Sequence, residues 1–118
     1  MKDFRNLKVW EKAHRLTLDI YGLTRLFPKE ELYGLTSQIR RSSSSIPTNI
    51  AEGCGRGSDA DFKRFLQIAF GSASETEYLL LLSKDLHYVD SSKTESLNSD
   101  VEEVKKILSS LIKKINRD

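Results

Sequence analysis

With 118 residues the chain fits one domain, residues 1–118, long enough to bury a core. Its residues are 38% hydrophobic and 31% charged, an ordinary soluble balance, and the longest apolar run, Tyr78 to Leu82, is too short to span a bilayer. A net charge of +2 does not by itself announce a nucleic-acid binder, and a single cysteine excludes an internal disulfide framework.

Met1 to Lys8 is polar and mixed in charge, so no secretory signal is expected; with one free thiol this points to a cytoplasmic protein. Asn6 can cap a first helix from about Leu7 to Phe27. Val9, Ala13, Leu16, Ile20, Leu23 and Phe27 recur at alternating four- and three-residue steps, the seam of a left-handed bundle. Pro28 ends it by pushing the residue before it out of the helical region.

The second helix starts near Tyr33, with Leu35, Ile39, Ser42 or Ser43, Ile46 and Ile50 on its inner face. Serines there let a neighbouring backbone come close, and their hydroxyls can bond to carbonyls one turn earlier. Pro47 cannot donate to the Ser43 carbonyl. Because the apolar period continues past it, a bend is expected; two helices joined at Ile46-Pro47 is the alternative. Gly53, Gly55 and Gly57 read as a helix end and turn in the left-handed conformation.

Ser58 caps a third helix, to about His87, with Asp59 and Asp61 at its positive end. Phe62, Leu66, Ala69, Ala73, Thr76, Leu80 and Ser83 form its seam. Tyr78 to Leu82 is apolar all round, more than four helices of this length can cover. Tyr78, Leu79, Leu81 and Leu82 are therefore candidates for a subunit interface. Ser92-Lys93-Thr94-Glu95 matches a capping box opening the fourth helix. Leu97, Val101, Val104, Leu108, Leu111 and Ile115 form the last seam, with Lys113, Lys114 and Arg117 at its negative end. The pattern predicts an all-α, up-down-up-down antiparallel four-helix bundle with its second helix bent near Pro47.

No catalytic constellation emerges. Glu11 and His14 have the E-x-x-H spacing of di-iron bundles, but His87 lacks a second such motif, so no metal or other cofactor is expected. The glycine turn follows a helix, not a strand, and lacks the G-K-[ST] ending of a phosphate-binding loop. Cys54 lies near Arg56, which could lower its pKa, but no base is near in sequence. Neither histidine has an arginine at the short spacing that marks the small helical RNases of toxin–antitoxin pairs. The chain reads as a non-enzyme.

Charge distribution is more informative than its sum. Residues 1–70 carry 12 basic and 8 acidic side chains, and residues 71–118 carry 7 and 9. Arg5, Lys8, Lys12 and Arg15 fall on one face of the first helix. Arg40 and Arg41 are adjacent on the second, and Arg56, Lys63 and Arg64 flank the turn. These nine are the candidate nucleic-acid contacts, to be weighed against plain solvated faces. No base-reading motif or aromatic stacking platform is evident, so contact with RNA or DNA would be largely sequence-independent.

FRNLKVWEKAH, YGLTSQIRRSSSSIPTNIAEGCGRGS and FLQIAFGSASETEYLL resemble the four-helix-bundle proteins encoded within intervening sequences of bacterial 23S rRNA genes, once labelled ribosomal proteins. The resemblance covers nearly the whole chain and weakens in the fourth helix. Its distinctive core is Ser45-Ile46-Pro47, Asn49-Ile50-Ala51-Glu52-Gly53 and Gly55-Arg56-Gly57; at 42–44 this chain has serines where many relatives have alanines. The resemblance implies a homopentamer and no enzymatic activity. A more distant relative, the accessory variability protein of diversity-generating retroelements, binds nucleic acid and partners a reverse transcriptase. The expected function is thus an oligomeric binding module for RNA or DNA. A protein-binding adaptor, for a reverse transcriptase for example, is the alternative.

Overall fold

The computed structural model describes residues 2–117. They form four helices, α1 (Lys8–Thr24), α2 (Leu35–Cys54), α3 (Asp59–Asp85) and α4 (Ser91–Arg117), with no strand among the described residues. Neighbours in sequence pack together and α4 closes back on α1, giving an up-down-up-down bundle with extents of 46 × 23 × 19 Å. The seam of α3 is buried at every predicted position, as are Val9, Ala13, Leu16 and Ile20 of α1 and Leu97, Val101, Val104 and Leu108 of α4.

The helix ends depart from expectation in informative ways. Asn6 does not cap α1. It closes a 3-10 turn, Phe4–Asn6, that is capped by Asp3, and Leu7 takes the N-cap position with no side-chain bond. α1 stops at Thr24 because the chain must already be turning before Pro28; the Phe27 amide donates to the Thr24 carbonyl at 3.1 Å. Phe27 still reaches the core and packs on Tyr88, with ring centroids 5.4 Å apart. Glu31 ties this connection down. One carboxylate oxygen accepts from the Leu35 amide at 3.1 Å, and the other accepts from the Tyr88 hydroxyl at 2.9 Å. α4 is capped by Asp90, whose carboxylate accepts from the Lys93 amide at 2.7 Å, so Glu95 has no capping role. The Arg117 side chain lies outside the described residues.

α2 runs through Pro47 without interruption, so it is one helix and not two. The carbonyl that Pro47 leaves free finds a partner on α1: the Thr17 hydroxyl lies 3.0 Å from the Ser43 oxygen and 2.9 Å from the Ala13 oxygen. The serines do more than fill space. Ser42 pairs with Thr76 and Ser45 with Ser72 across α2 and α3, each at 2.9 Å. Ser43 and Ser44 bond back to carbonyls three residues earlier.

The predicted helix end is present, with α2 closing at Cys54 and Gly55 as its C-cap, but the left-handed glycine is not. No described glycine has a positive φ. Gly53 is inside α2, where a Cβ would sit 2.9 Å from Phe65 Cβ and 3.2 Å from Phe62 Cδ1. It is there for close approach of two helices. The left-handed residue is instead His87, φ 66°, which ends α3. Its amide donates to the Lys84 carbonyl and the Tyr88 amide to that of Ser83, both at 2.9 Å.

Thr17→Val keeps the side-chain shape and leaves the Ser43 carbonyl without its donor, so it should cost about 1–3 kcal/mol. In Pro47→Ala the restored amide can serve that carbonyl, and the same threonine change should cost less than half as much. Urea denaturation of the four proteins measures this coupling; simple additivity would show that the two residues do not share the carbonyl.

Candidate nucleic-acid interface

The bundle sorts the nine candidate cations into three places. Arg5, Lys8, Arg56, Lys63 and Arg64 gather at the end where α1 and α3 begin and α2 stops. That end is tied by the Lys2 amide donating to the Cys54 carbonyl at 3.1 Å. Arg56 and Arg64 both lie over the Phe65 ring, 4.9 and 4.7 Å from its centroid. Three of the five are already ion-paired: Arg5 with Asp3, Arg56 with Glu52 and Arg64 with Asp61.

Lys12 and Arg15 belong to a groove of about 260 Å³ between α1 and α4, where carboxylates outnumber them. Lys12 reaches Glu103 at 3.1 Å and Arg15 reaches Glu11 at 3.6 Å. Loss of hydration, then the neighbouring Asp19 and Glu103 charges, raise the Asp100 carboxyl above its ordinary range. The predicted basic stripe on α1 is therefore interleaved with acid along this edge.

Arg40 and Arg41 are different. Neither has an ion-pair partner among the described residues. Arg40 is held by neutral groups. Its Nε donates to the Thr24 hydroxyl at 2.7 Å and a terminal nitrogen to the Tyr21 carbonyl at 3.3 Å, while its guanidinium lies 4.7 Å from the centroid of the Tyr21 ring. Arg41 is exposed beside it.

Both line a shallow furrow along the α1–α2 face. Its central depression, about 480 Å³, is walled by Tyr21, Tyr33, Arg40 and Arg41. It shares Arg40 with a depression of about 340 Å³ that adds Arg25 and Lys29. It shares Ser44 with a third, of about 370 Å³, that holds Phe4, Trp10 and His14. Among the described residues, no carboxylate lines any of the three.

Sequence reasoning missed Arg25, Lys29 and the aromatics. Trp10 and Tyr21 are off the α1 seam, a sign that they serve another face. Packing places them there: the Trp10 and His14 rings stack at 5.0 Å with 9° between planes, and Phe4 tilts against Trp10 at 4.8 Å. Tyr33 is 93% exposed.

His14 is occupied with Trp10 and Glu11 with Arg15, and no cluster of three metal-ligating side chains occurs among the described residues. Cys54 is buried, and burial pushes its thiol pKa up, against the lowering expected from Arg56. Of the four interface candidates, Tyr78 and Leu81 are 57% and 43% exposed. Leu82 is half-buried, and Leu79, at 4% exposure, packs in the protomer's own core. No described helix is long and apolar enough to cross a membrane.

The fold defines a class: small all-α proteins built as up-down-up-down four-helix bundles. The family model for the 23S rRNA-intervening sequence protein matches residues 5–110, and the chain belongs to that family. A solved structure of a protein of unknown function from the S23 ribosomal protein family of Bacteroides thetaiotaomicron is similar to it at 37% identity with a TM-score of 0.83. The match covers 89% of this chain and 98% of that one. No curated protein matches.

The acidic groove yields a pH prediction. A carboxyl whose pKa is raised by folding favours the native state while protonated, and that contribution is lost as pH rises through its folded value. Asp100→Asn should therefore raise the Tm at neutral pH, with the gain shrinking as pH falls through the carboxylate range. A gain that is constant with pH would point to another cause.

Proposed function

We propose that this protein is a non-enzymatic, cytoplasmic binding module that holds the backbone of RNA or DNA on its α1–α2 face. One observation supports the reading above others: four cations, Arg25, Lys29, Arg40 and Arg41, line two adjoining depressions that share Arg40 and have no carboxylate among their described lining residues. Phosphates need such a surface, whereas Arg5, Lys12, Arg15, Arg56 and Arg64, five of the other candidate cations, already hold carboxylate partners. Binding of this kind is dominated by counterion release and tolerates many sequences.

The working form is a cyclic homo-oligomer, with five subunits implied by the family resemblance. The exposed Tyr78 and Leu81 on α3 supply an apolar patch for the contact, away from the furrow on α1 and α2. Repeating the furrow around a ring lets weak phosphate contacts act together on one long polyanion.

Two measurements test this. Light scattering should give a multiple of the 13.5 kDa protomer, and Leu81→Asp should dissociate or precipitate it, since a buried unpaired charge costs several kcal/mol. A monomer at micromolar concentration would reject the assembly. Fluorescence anisotropy with labelled structured RNA and duplex DNA should show binding that weakens steeply with salt. Lys29→Glu/Arg41→Glu alters no side-chain bond of the fold. It should weaken binding and flatten the salt slope by roughly 0.7–0.9 for each phosphate that is no longer neutralised. No binding to either at low salt would leave the protein-adaptor reading in front.

A further inference from the structure

The aromatic residues of the furrow add chemistry that a phosphate surface does not need. Tyr33 is 93% exposed, and its hydroxyl makes no hydrogen bond among the described residues. A lone exposed aromatic would call for no explanation. This one stands in the same depression as Tyr21, Arg40 and Arg41. The guanidinium of Arg40 already lies over the Tyr21 ring, 4.7 Å from its centroid, so two delocalised planar groups meet here. Further along, the Phe4–Trp10–His14 cluster ends on the exposed His14 ring. His14 and Tyr21 are seven residues apart, which at the helical rise is ~10 Å along α1.

Planar groups and cations sharing one furrow match a strand whose bases are free to stack and whose phosphates run beside them. A duplex hides the faces of its bases in its own stack. It could touch Arg25, Lys29 and Arg41 at the rim but would leave the aromatics unused. The furrow lies between two helices whose axes are ~8–10 Å apart, the scale of one strand and not of a double helix.

We propose that the furrow's ligand is a single-stranded polynucleotide, with bases stacked on Tyr33 and on the Tyr21–Arg40 layer and phosphates on Arg41, Arg25 and Lys29. This rests on the reading of the α1–α2 face as a nucleic-acid surface. Stacking accepts every base, so affinity follows strandedness more than sequence.

The test uses the full chain and labelled oligoadenylate as RNA and as DNA, each alone and annealed to its complement, at one moderate salt concentration. Single strands should bind more tightly than duplexes. The DNA and RNA arms show whether the ribose hydroxyl contributes. Tyr33→Leu should weaken single-strand binding about five- to hundredfold, the effect of losing one stacked base, and leave duplex binding unchanged. Tyr33→Phe keeps the ring and should bind as the parent does. The side chain is exposed and unbonded, so both variants should keep the parent's size and Tm. Equal binding of strands and duplexes with no effect of Tyr33→Leu would overturn the inference and leave the polyanion surface standing. Absence of binding to all four ligands would overturn both.

Discussion

A hydroxyl on α1 answers for a proline in α2, and much else follows from that bond. Pro47 sits in a buried stretch, where its ring removes a donor and leaves the Ser43 carbonyl unserved. An unpaired carbonyl in such a place would be costly, and water cannot reach it. The one hydroxyl hydrogen of Thr17 is shared between the Ser43 carbonyl, 3.0 Å away, and the Ala13 carbonyl of its own helix, 2.9 Å away. The bond joins two positions that must lie opposite each other, so it sets the register of α1 against α2. That register puts Trp10 and His14 across from Ser44, Pro47 and Ala51, and Tyr21 across from Arg40. The furrow is a consequence of how these two helices are aligned.

The other side of α2 is built for closeness. Small side chains face α3, and two hydroxyl pairs, Ser42 with Thr76 and Ser45 with Ser72, satisfy one another at 2.9 Å. Gly53 carries this to the end of the helix, where the Phe62 and Phe65 side chains occupy the room that a methyl would take. Hydroxyl pairs fix geometry in a way that apolar packing does not, because a slip of either helix would leave polar atoms unpaired in a buried seam. α2 is thus held on both flanks by hydrogen bonds that cross between helices. Its remaining face, with Arg41 and Ser44, is the one turned to the furrow.

Charge is sorted by the same packing. A net charge of +2 hides two opposite surfaces on α1. Where α1 meets α4, Glu11, Asp19, Asp100 and Glu103 surround two cations. Where it meets α2, four cations meet no acid. Such a distribution repels negative charge along one edge and attracts it along the other.

The number of helices, their seams and their antiparallel order were legible in the sequence, because burial imposes a period that survives in the residue pattern: every position of the α3 seam from Phe62 to Ser83 is buried as spaced. Continuity of α2 through Pro47 was legible for the same reason. Other properties depend on which atoms meet across helices, and the spacing of one helix carries no record of that. Gly53 reads as a turn residue until Phe62 and Phe65 are placed against it. Leu79 and Leu81 look alike in an apolar run, and only packing decides that one is core and the other surface. The basic stripe of α1 looks continuous until α4 brings Glu103 to Lys12. The furrow joins Tyr21, Tyr33 and Arg40 from separate segments, so the sequence determined its parts and the tertiary structure alone decided that they form one surface.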